Sequence, residues 1–469
     1  MSIQLGLDRM KALLEHINYS RPTIHIVGTN GKGSVSTLIE RVLLSSGLSV
    51  GKFTSPHLVH VYDCISVNGE ALSSLTYQRW STRVESLSME HQIQASPFEL
   101  LTATALSIFE EMKLDAVIME AGMGGRLDAT NAVPDETMLI TTITAIDLDH
   151  QAFLGDTISA IAREKAGAIR DGGLVVLGDQ SPDNESDVLD AVSEIAFQKK
   201  ATLVRSKPVL RIIEAPDSSH TDGDSSESVA PFQTISFPSL LGNSQGGVLT
   251  RLSLLGEHQL SNAGVAYQVL RTLRESRPTR FDVVNDGSIL SGFAAARWLG
   301  RLSWTTETLP NFLSDEDGPS LKILVDGAHN AASSRTLASY LRSVGQGGCP
   351  RDPRTFIIAL SHSPPKTPSD VLKELLKPGD RVALVPFREP VEGMPWVRNV
   401  QREELKSCIT GLIGSSSEIW EPQVHADYSP LLQALHWARY LGDIAIVAGS
   451  LYLMGDFYRE FGATQHLST

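Results

Sequence analysis

Short, almost wholly apolar runs alternate along this chain with stretches of helical periodicity. "TIHIV" (Thr23–Val27), "DAVIME" (Asp115–Glu120), "MLITTITAI" (Met138–Ile146) and "GLVVLGD" (Gly173–Asp179) read as strands buried on both faces. Between them "SVSTLIERVLLSS", "LLTATALSIFEEM" and "TISAIAREKAGAI" read as helices, the last ending on Gly167 as a C-cap. Such alternation predicts a parallel α/β sheet. The pattern breaks at about 216–231, a Ser/Asp-rich tract that reads as a solvated surface insertion without chemistry. It breaks again at 305–320, a polar, proline-containing linker. A new alternation follows in "LKILVDGAHN", "RTFIIALSHS", "RVALVPF" and "IAIVAGSLYL". Two α/β domains are expected, 1–304 and 321–469, the larger first.

Composition narrows the partners. The 469 residues are 42% hydrophobic and 20% charged, ordinary for a globular protein. A net charge of −14 argues against nucleic acid and anionic membranes, while a local loop can still hold a small anion. Cys64, Cys349 and Cys408 are far apart and odd in number, which suits free thiols in a reducing compartment. No apolar run approaches the ~20 residues of a membrane span. The N-terminus lacks a signal-peptide core, and its Asp8 and Glu15 do not suit an Arg-rich mitochondrial import peptide. A cytoplasmic protein is expected.

The chemistry starts at "HIVGTNGKGS". It has the layout of a phosphate-binding loop but departs from G-x-x-x-x-G-K-[ST] at two places. Ile26 stands for the first glycine, and Gly33 follows Lys32 where a metal-binding hydroxyl is usual. Gly28, Gly31 and Gly33 still let backbone N–H groups approach an anion, and a helix N-terminus and Lys32 add positive charge. Ser34 comes one residue late, so a metal needs other ligands. Glu120 ends one strand run, His150 closes the unit "TAIDLDH", and Ser55 follows another strand-like run in "FTSPHL". Singly these fit a surface acid, a satisfied histidine and a capping serine. Together they fall at the strand ends where α/β sheets bind ligands, as a Mg²⁺ site requires.

"GTNGKGS", "TSPHL", "EAGMGGRLDATN", "DLDHQAFLGDTISAIAREKAG", "GEHQLSNA", "WLGRL" and "VDGAHN" occur in that order. Over Leu5 to Phe461 the chain resembles the folylpolyglutamate synthase and dihydrofolate synthase branch of the Mur-type ATP-dependent amide ligases. The resemblance implies an N-terminal P-loop, Mur-ligase-like ATPase domain with a parallel-rich sheet, and a smaller Rossmann-like C-terminal domain. It implies ATP phosphates on Gly28, Thr29, Asn30, Gly31, Lys32, Gly33 and Ser34. It implies two Mg²⁺, one on Ser55 and Glu120 and one on His150 and Glu120. Lys165 matches a lysine often carbamylated in this family, which makes it a metal ligand; read alone, it is a solvated helix lysine. His258 and Asn262 would lie on the adenine side. Arg301 would reach the phosphates, and Asp326 and His329 would meet the nucleotide from the second domain. Lys32, His150, Lys165, Arg301 and His329 would then be the catalytic set.

The implied reaction joins L-glutamate to the carboxylate of 7,8-dihydropteroate through an acyl phosphate, giving dihydrofolate, ADP and phosphate. "FELLTATAL" with its Glu99, "HLVHVYDCISVNG" and "VEGMPWV" resemble the fungal members that use this acceptor. Read alone, the first merely starts a helix and the last is a turn with a packed tryptophan. Addition of glutamates to reduced folates, alone or as a second activity, is the alternative. The resemblance also implies a monomer. A P-loop phosphotransferase would leave "VDGAHN" without a role, and a non-catalytic scaffold would not need Lys32, Glu120 and His150.

Overall fold

The computed structural model describes residues 6–212, 231–240, 247–305, 321–345, 353–362, 366–414, 417–423, 428–442 and 444–462. The insertion at 216–231 (Pro231 apart) and the linker after Thr305 lie outside the described residues.

Two sheets organise the chain. The first contains β1 (Thr23–Val27), β2 (Val50–Phe53), β3 (Ile65–Val67), β4 (Glu70–Ala71), β5 (Ala116–Glu120), β6 (Met138–Ile143), β7 (Leu174–Leu177) and β8 (Thr202–Arg205). Its order is β4-β3-β2-β5-β1-β6-β7-β8, parallel from β2 to β8, with β3 and β4 antiparallel at the edge. The central strands β1 and β5 are buried throughout, as their apolar runs require. A small antiparallel sheet follows, of β9 (Leu210–Arg211), β10 (Gln233–Phe237) and β11 (Val248–Leu252). The other large sheet has the order β12-β13-β17-β14-β15-β16. Its strands are β12 (Ser303–Thr305), β13 (Lys322–Asp326), β14 (Thr355–Ile358), β15 (Arg381–Leu384), β16 (Ile419–Trp420) and β17 (Ile444–Ala448). Only β12 runs antiparallel, so both large sheets are parallel-rich. No helix among the described residues is long and apolar enough to cross a membrane.

Local signals explain the helix ends. Ser96 and Glu99 form a capping box at the Pro97–Glu111 helix, and Glu99 also accepts from Arg9 Nε at 2.8 Å. The acid in "FELL" therefore fixes a helix start. Gly167 does end the Ile158–Ala166 helix, but with φ −59 it is right-handed. Glycine is needed there for space, since a Cβ would lie 2.4 Å from Arg126 Cβ. Cys64 and Cys408 are free thiols, and Cys349 lies outside the described residues.

The helix that begins at the glycine loop (Lys32–Ser45) packs on β1 and β5 and on the helices His258–Ser276 and Asp286–Ala295. At that last crossing Gly292 lies against Val42, where a Cβ would be 2.6 Å from the Val42 backbone. Loops after β2 and β6 of the first sheet meet two helices of the second unit, Leu451–Glu460 and Ala331–Gly345. Arg459 Nη2 donates to the Val59 carbonyl at 2.9 Å, and a Cβ on Gly455 would sit 2.1 Å from the Leu58 carbonyl oxygen. Across the same gap Arg335 lies 3.9 Å from Asp147.

Two glycines on helices are expected to respond to alanine with opposite signs. Gly292→Ala should destabilise by about 1–3 kcal/mol through overpacking. Gly411→Ala, in open space on the Arg402–Ile413 helix, should stabilise by about 0.5–1 kcal/mol. Denaturant melts of the two variants measure both effects, and shifts of equal sign would contradict this packing.

Candidate active site

The glycine loop is divided in its duties. Gly28 has φ +149, and a Cβ there would sit 1.9 Å from Thr144 Oγ1. Its carbonyl accepts from Lys165 Nζ at 2.7 Å. The N–H groups of Thr29 and Asn30 both donate to the Ala145 carbonyl, at 2.9 and 3.1 Å. The Thr29 hydroxyl donates to the Asp147 carbonyl and accepts from the Asp147 N–H, each at 3.1 Å. The first half of the loop is therefore tied to the exit of β6. Gly31, at φ +91, is the N-cap, and Lys32, Gly33 and Ser34 form the open first turn of the helix. The first N–H groups of a helix lack internal acceptors, so this second half is the part of the loop suited to an anion.

A buried side-chain chain backs the loop. Asn262 Nδ2 donates to Gln259 Oε1 at 2.9 Å, and Gln259 Nε2 donates to Ser34 Oγ at 3.2 Å. Asn262 also occupies the space of a Cβ on Gly31, 2.3 Å away. The late hydroxyl of Ser34 is thus engaged by Gln259. Gln259 Nε2 is also 3.1 Å from His258 Nε2, while His258 Nδ1 is buried without a partner. Burial, with the Arg301 charge, lowers the His258 pKa to about 4.

Glu120 ends β5 and is 4% exposed. Its Oε1 lies 3.8 Å from Lys32 Nζ, and its Oε2 is buried with no partner. Burial raises its pKa to about 7, against the pull of Lys32, Arg301 and Lys52 and of the Ser55 N–H. Ser55 is thereby placed beside Glu120, as its position after β2 suggested. Lys165 is 3% exposed, and burial together with the Lys32 charge lowers its pKa to about 7. The lysine that reads alone as a solvated surface group is in fact a core group of the site.

His150 needs a correction of place. Strand β6 stops at Ile143, seven residues earlier, where its neighbour β1 ends at Val27, and the chain beyond it bonds through Ala145 and Asp147 to the glycine loop instead. His150 instead N-caps a short turn of helix at φ +51, with an exposed ring whose Nε2 is 3.9 Å from Asp149 Oδ2. It remains on the same edge of the sheet. Among the described residues no three His, Cys, Asp or Glu side chains group to hold a metal. The orphaned Glu120 Oε2 is the atom a cation fits.

From the second sheet, Asp326 ends β13 and accepts from the N–H groups of Leu302 at 2.8 Å and Ala328 at 2.9 Å. Burial raises its pKa to about 6 despite Arg301. Arg301 Nη1 donates to the Gly300 carbonyl at 3.0 Å and lies where a Cβ on Gly327 would be, 2.6 Å off. His329 Nδ1 is 2.8 Å from the Gly327 carbonyl, so that nitrogen carries the proton and Nε2 is an acceptor. Burial and Lys366 lower the His329 pKa to about 4, which leaves the ring neutral.

Three residues of the site carried no role in the sequence reading. Gln259 and Trp298 lie inside the motifs "GEHQLSNA" and "WLGRL", so their positions were visible. Lys366 had no signal; its Nζ donates to the His329 carbonyl at 2.7 Å. Burial works against the Asp149 carboxylate, yet His150, His329 and Lys366 hold its pKa below the ordinary value.

Comparison with known proteins adds a second line. A family profile described as "Dihydrofolate synthetase, C-terminal domain" matches residues 309–460. The dihydrofolate synthetase of Saccharomyces cerevisiae is 35% identical over 98% of both chains. The probable dihydrofolate synthetase of Schizosaccharomyces pombe is 32% identical over 98% of this chain and 99% of its own. The folylpolyglutamate synthase of Mycobacterium tuberculosis, solved with ADP and AMPPCP, superposes with a TM-score of 0.75. That match is 26% identical and covers 97% of this chain and 95% of the other.

Glu120 makes a pH dependence testable without ligands. Its folded-state pKa of about 7 exceeds the ordinary 4.5, so folding takes up a proton between those values. Stability is therefore lost as pH rises through that window. Glu120→Gln should gain on the wild type by about 2–3 kcal/mol between about pH 5 and pH 8. Denaturant melts at the two pH values measure this, and a constant difference would contradict the burial of Glu120 as a charge.

Proposed function

The chain belongs to the dihydrofolate synthetase family, and from that premise we propose how each group of the site acts. The protein is an ATP-dependent ligase of folate synthesis that joins L-glutamate to 7,8-dihydropteroate, giving dihydrofolate, ADP and phosphate. Glu120 carries the proposal for the site: a buried carboxylate at a strand end, 3.8 Å from the loop lysine and with one oxygen unpaired.

Joining a carboxylate to an amine in water is uphill, so the carboxylate is first activated. A carboxylate oxygen of dihydropteroate attacks the γ-phosphorus of ATP, the bond to the bridging oxygen breaks, and ADP leaves. The glutamate amine then attacks the acyl carbon, the carbon–oxygen bond breaks, phosphate leaves, and the amine proton is lost. Phosphoryl transfer needs positioning and neutralised charge. The N–H groups of Gly31–Ser34 and the ammonium of Lys32 would hold the phosphates, and Arg301 would bring its charge from the junction of the two sheets. His258 and Asn262 would stand on the adenine side. Asp326 fixes the Leu302 and Ala328 backbone, and so would hold Arg301 and His329 toward the nucleotide. The neutral His329 offers Nε2 as an acceptor.

Ser55 and Glu120 would hold one Mg²⁺, and His150 with Glu120 a second; bound there, the ions neutralise the phosphate oxygens. Lys165 is suited to a modified role. With a pKa of about 7, much of its amine is uncharged near neutral pH. An uncharged amine adds to CO₂ and loses a proton, which turns a cation into an anionic oxygen ligand. The facing sheets would exclude water from the acyl phosphate. The protein is proposed to act as a cytoplasmic monomer on these small molecules alone.

ADP release by the purified protein should require dihydropteroate and L-glutamate together. Tetrahydrofolate in place of dihydropteroate should support little turnover. Equal rates with both acceptors would overturn the single activity, and no rate with either would remove the folate reading. Lys32→Ala should lower kcat/KM by about 10²–10³-fold as phosphate stabilisation is lost. A near-normal rate in that variant would move the phosphate site elsewhere.

A further inference from the structure

The glycine after Lys32 has a visible cause. A Cβ on Gly33 would lie 2.6 Å from Cζ2, 2.8 Å from Cε2 and 3.0 Å from Nε1 of Trp298. Those are ring atoms of a rigid side chain, so no small rotation clears them. The half-buried indole has a second neighbour besides Gly33. Lys52 Nζ stands 5.3 Å from its ring centroid. Lys52 is 8% exposed and is paired at 2.5 Å with Glu40, a 1%-exposed residue of the loop helix that also accepts from Ser66 Oγ at 2.8 Å. Trp298 therefore rests on the phosphate loop and on the helix behind it.

Three residues later comes Arg301. The segment between them is bound to the second sheet and its helix: Gly300 N–H donates to Tyr458 Oη at 2.9 Å, and the Gly300 carbonyl accepts from the Gly327 N–H at 2.8 Å. One end of this short segment thus touches the phosphate loop and the other the second domain. We propose that Trp298 is a positioning residue whose indole fills the seat a side chain at 33 would take, and so fixes Arg301 in register with the phosphate loop. A hydroxyl after the lysine is excluded by the indole, and the metal ligands are supplied by other strands. The proposal rests on the reading of Arg301 as a phosphate-site group.

Two double-variant cycles test it. The first measures equilibrium binding of MgATP to the full chain. Gly33→Ala should weaken binding at least about tenfold, because its Cβ must displace the ring. In a Trp298→Ala background the same change should cost less than about twofold. Equal penalties in the two backgrounds would overturn the steric seat while leaving the phosphate-site reading intact. A wild type that binds no MgATP would remove both. The second cycle measures turnover. Trp298→Ala should lower kcat at least about tenfold with the KM for ATP changed less than about threefold, as for loss of a group acting in the transition state. Trp298→Ala with Arg301→Ala should be no slower than Arg301→Ala alone. Multiplying penalties would show that Trp298 does not act through Arg301. Trp298→Phe, which keeps a ring beside Lys52, repeats both cycles with a milder change. The same sub-additivity is expected there, and its absence counts equally against the proposal.

Discussion

A carboxylate is held at the end of a fully buried strand, and the site is arranged around that constraint. An isolated charge in such a place is costly, and removing one partner of a buried pair is costlier than exposing a surface ion. Glu120 meets the cost only in part. Lys32, Arg301 and Lys52 favour its charge, yet burial still dominates and one oxygen stays unpaired. The same low-dielectric surroundings strengthen every interaction with a phosphate that enters. Lys165, equally buried, is drawn toward its neutral form by the same physics. The charge of Glu120 is therefore incompletely compensated by the residues around it.

The backbone around this constraint depends on missing side chains. Gly28 yields its Cβ space to Thr144, Gly31 to Asn262, and Gly33 to Trp298. Gly125 lies against the Lys165 backbone, and Gly327 against Arg301. Each lets its neighbour come closer to the main chain than a side chain at that position would allow. Interiors are close-packed, so such contacts transmit position instead of absorbing it.

Much of this was legible in the sequence, for physical reasons that vary by element. Strands β1 and β5 are apolar runs because both faces are covered, and their exits mark the ligand edge. The shared edge of Ser55, Glu120 and His150 was legible because each follows a strand-like run of a parallel α/β pattern. The hidden parts lacked periodicity. Strand β4 is two residues long, and β9 carries exposed Leu210 and Arg211, so no alternation betrays them. The apolar start of "TAIDLDH" suggests a strand exit near His150, whereas the pairing ends at Ile143, where its partner β1 ends at Val27. Lys165 was invisible as a buried group because its neighbours Arg163 and Glu164 face solvent on the same helix. Lys366 reaches the His329 carbonyl within its own domain across 37 residues of chain, and no local pattern reports such a contact.

Activation of the dihydropteroate carboxylate by phosphoryl transfer between the facing sheets would leave a record in the oxygen atoms. The most direct measurement follows oxygen atoms. Dihydropteroate labelled with ¹⁸O in its carboxylate is converted with ATP and L-glutamate, and the released phosphate is analysed by mass. One labelled oxygen in each phosphate is expected, because the bridging oxygen of the acyl phosphate leaves with phosphorus. Phosphate free of label would mean that the γ-phosphoryl group passes to water or to the protein, and would contradict the account.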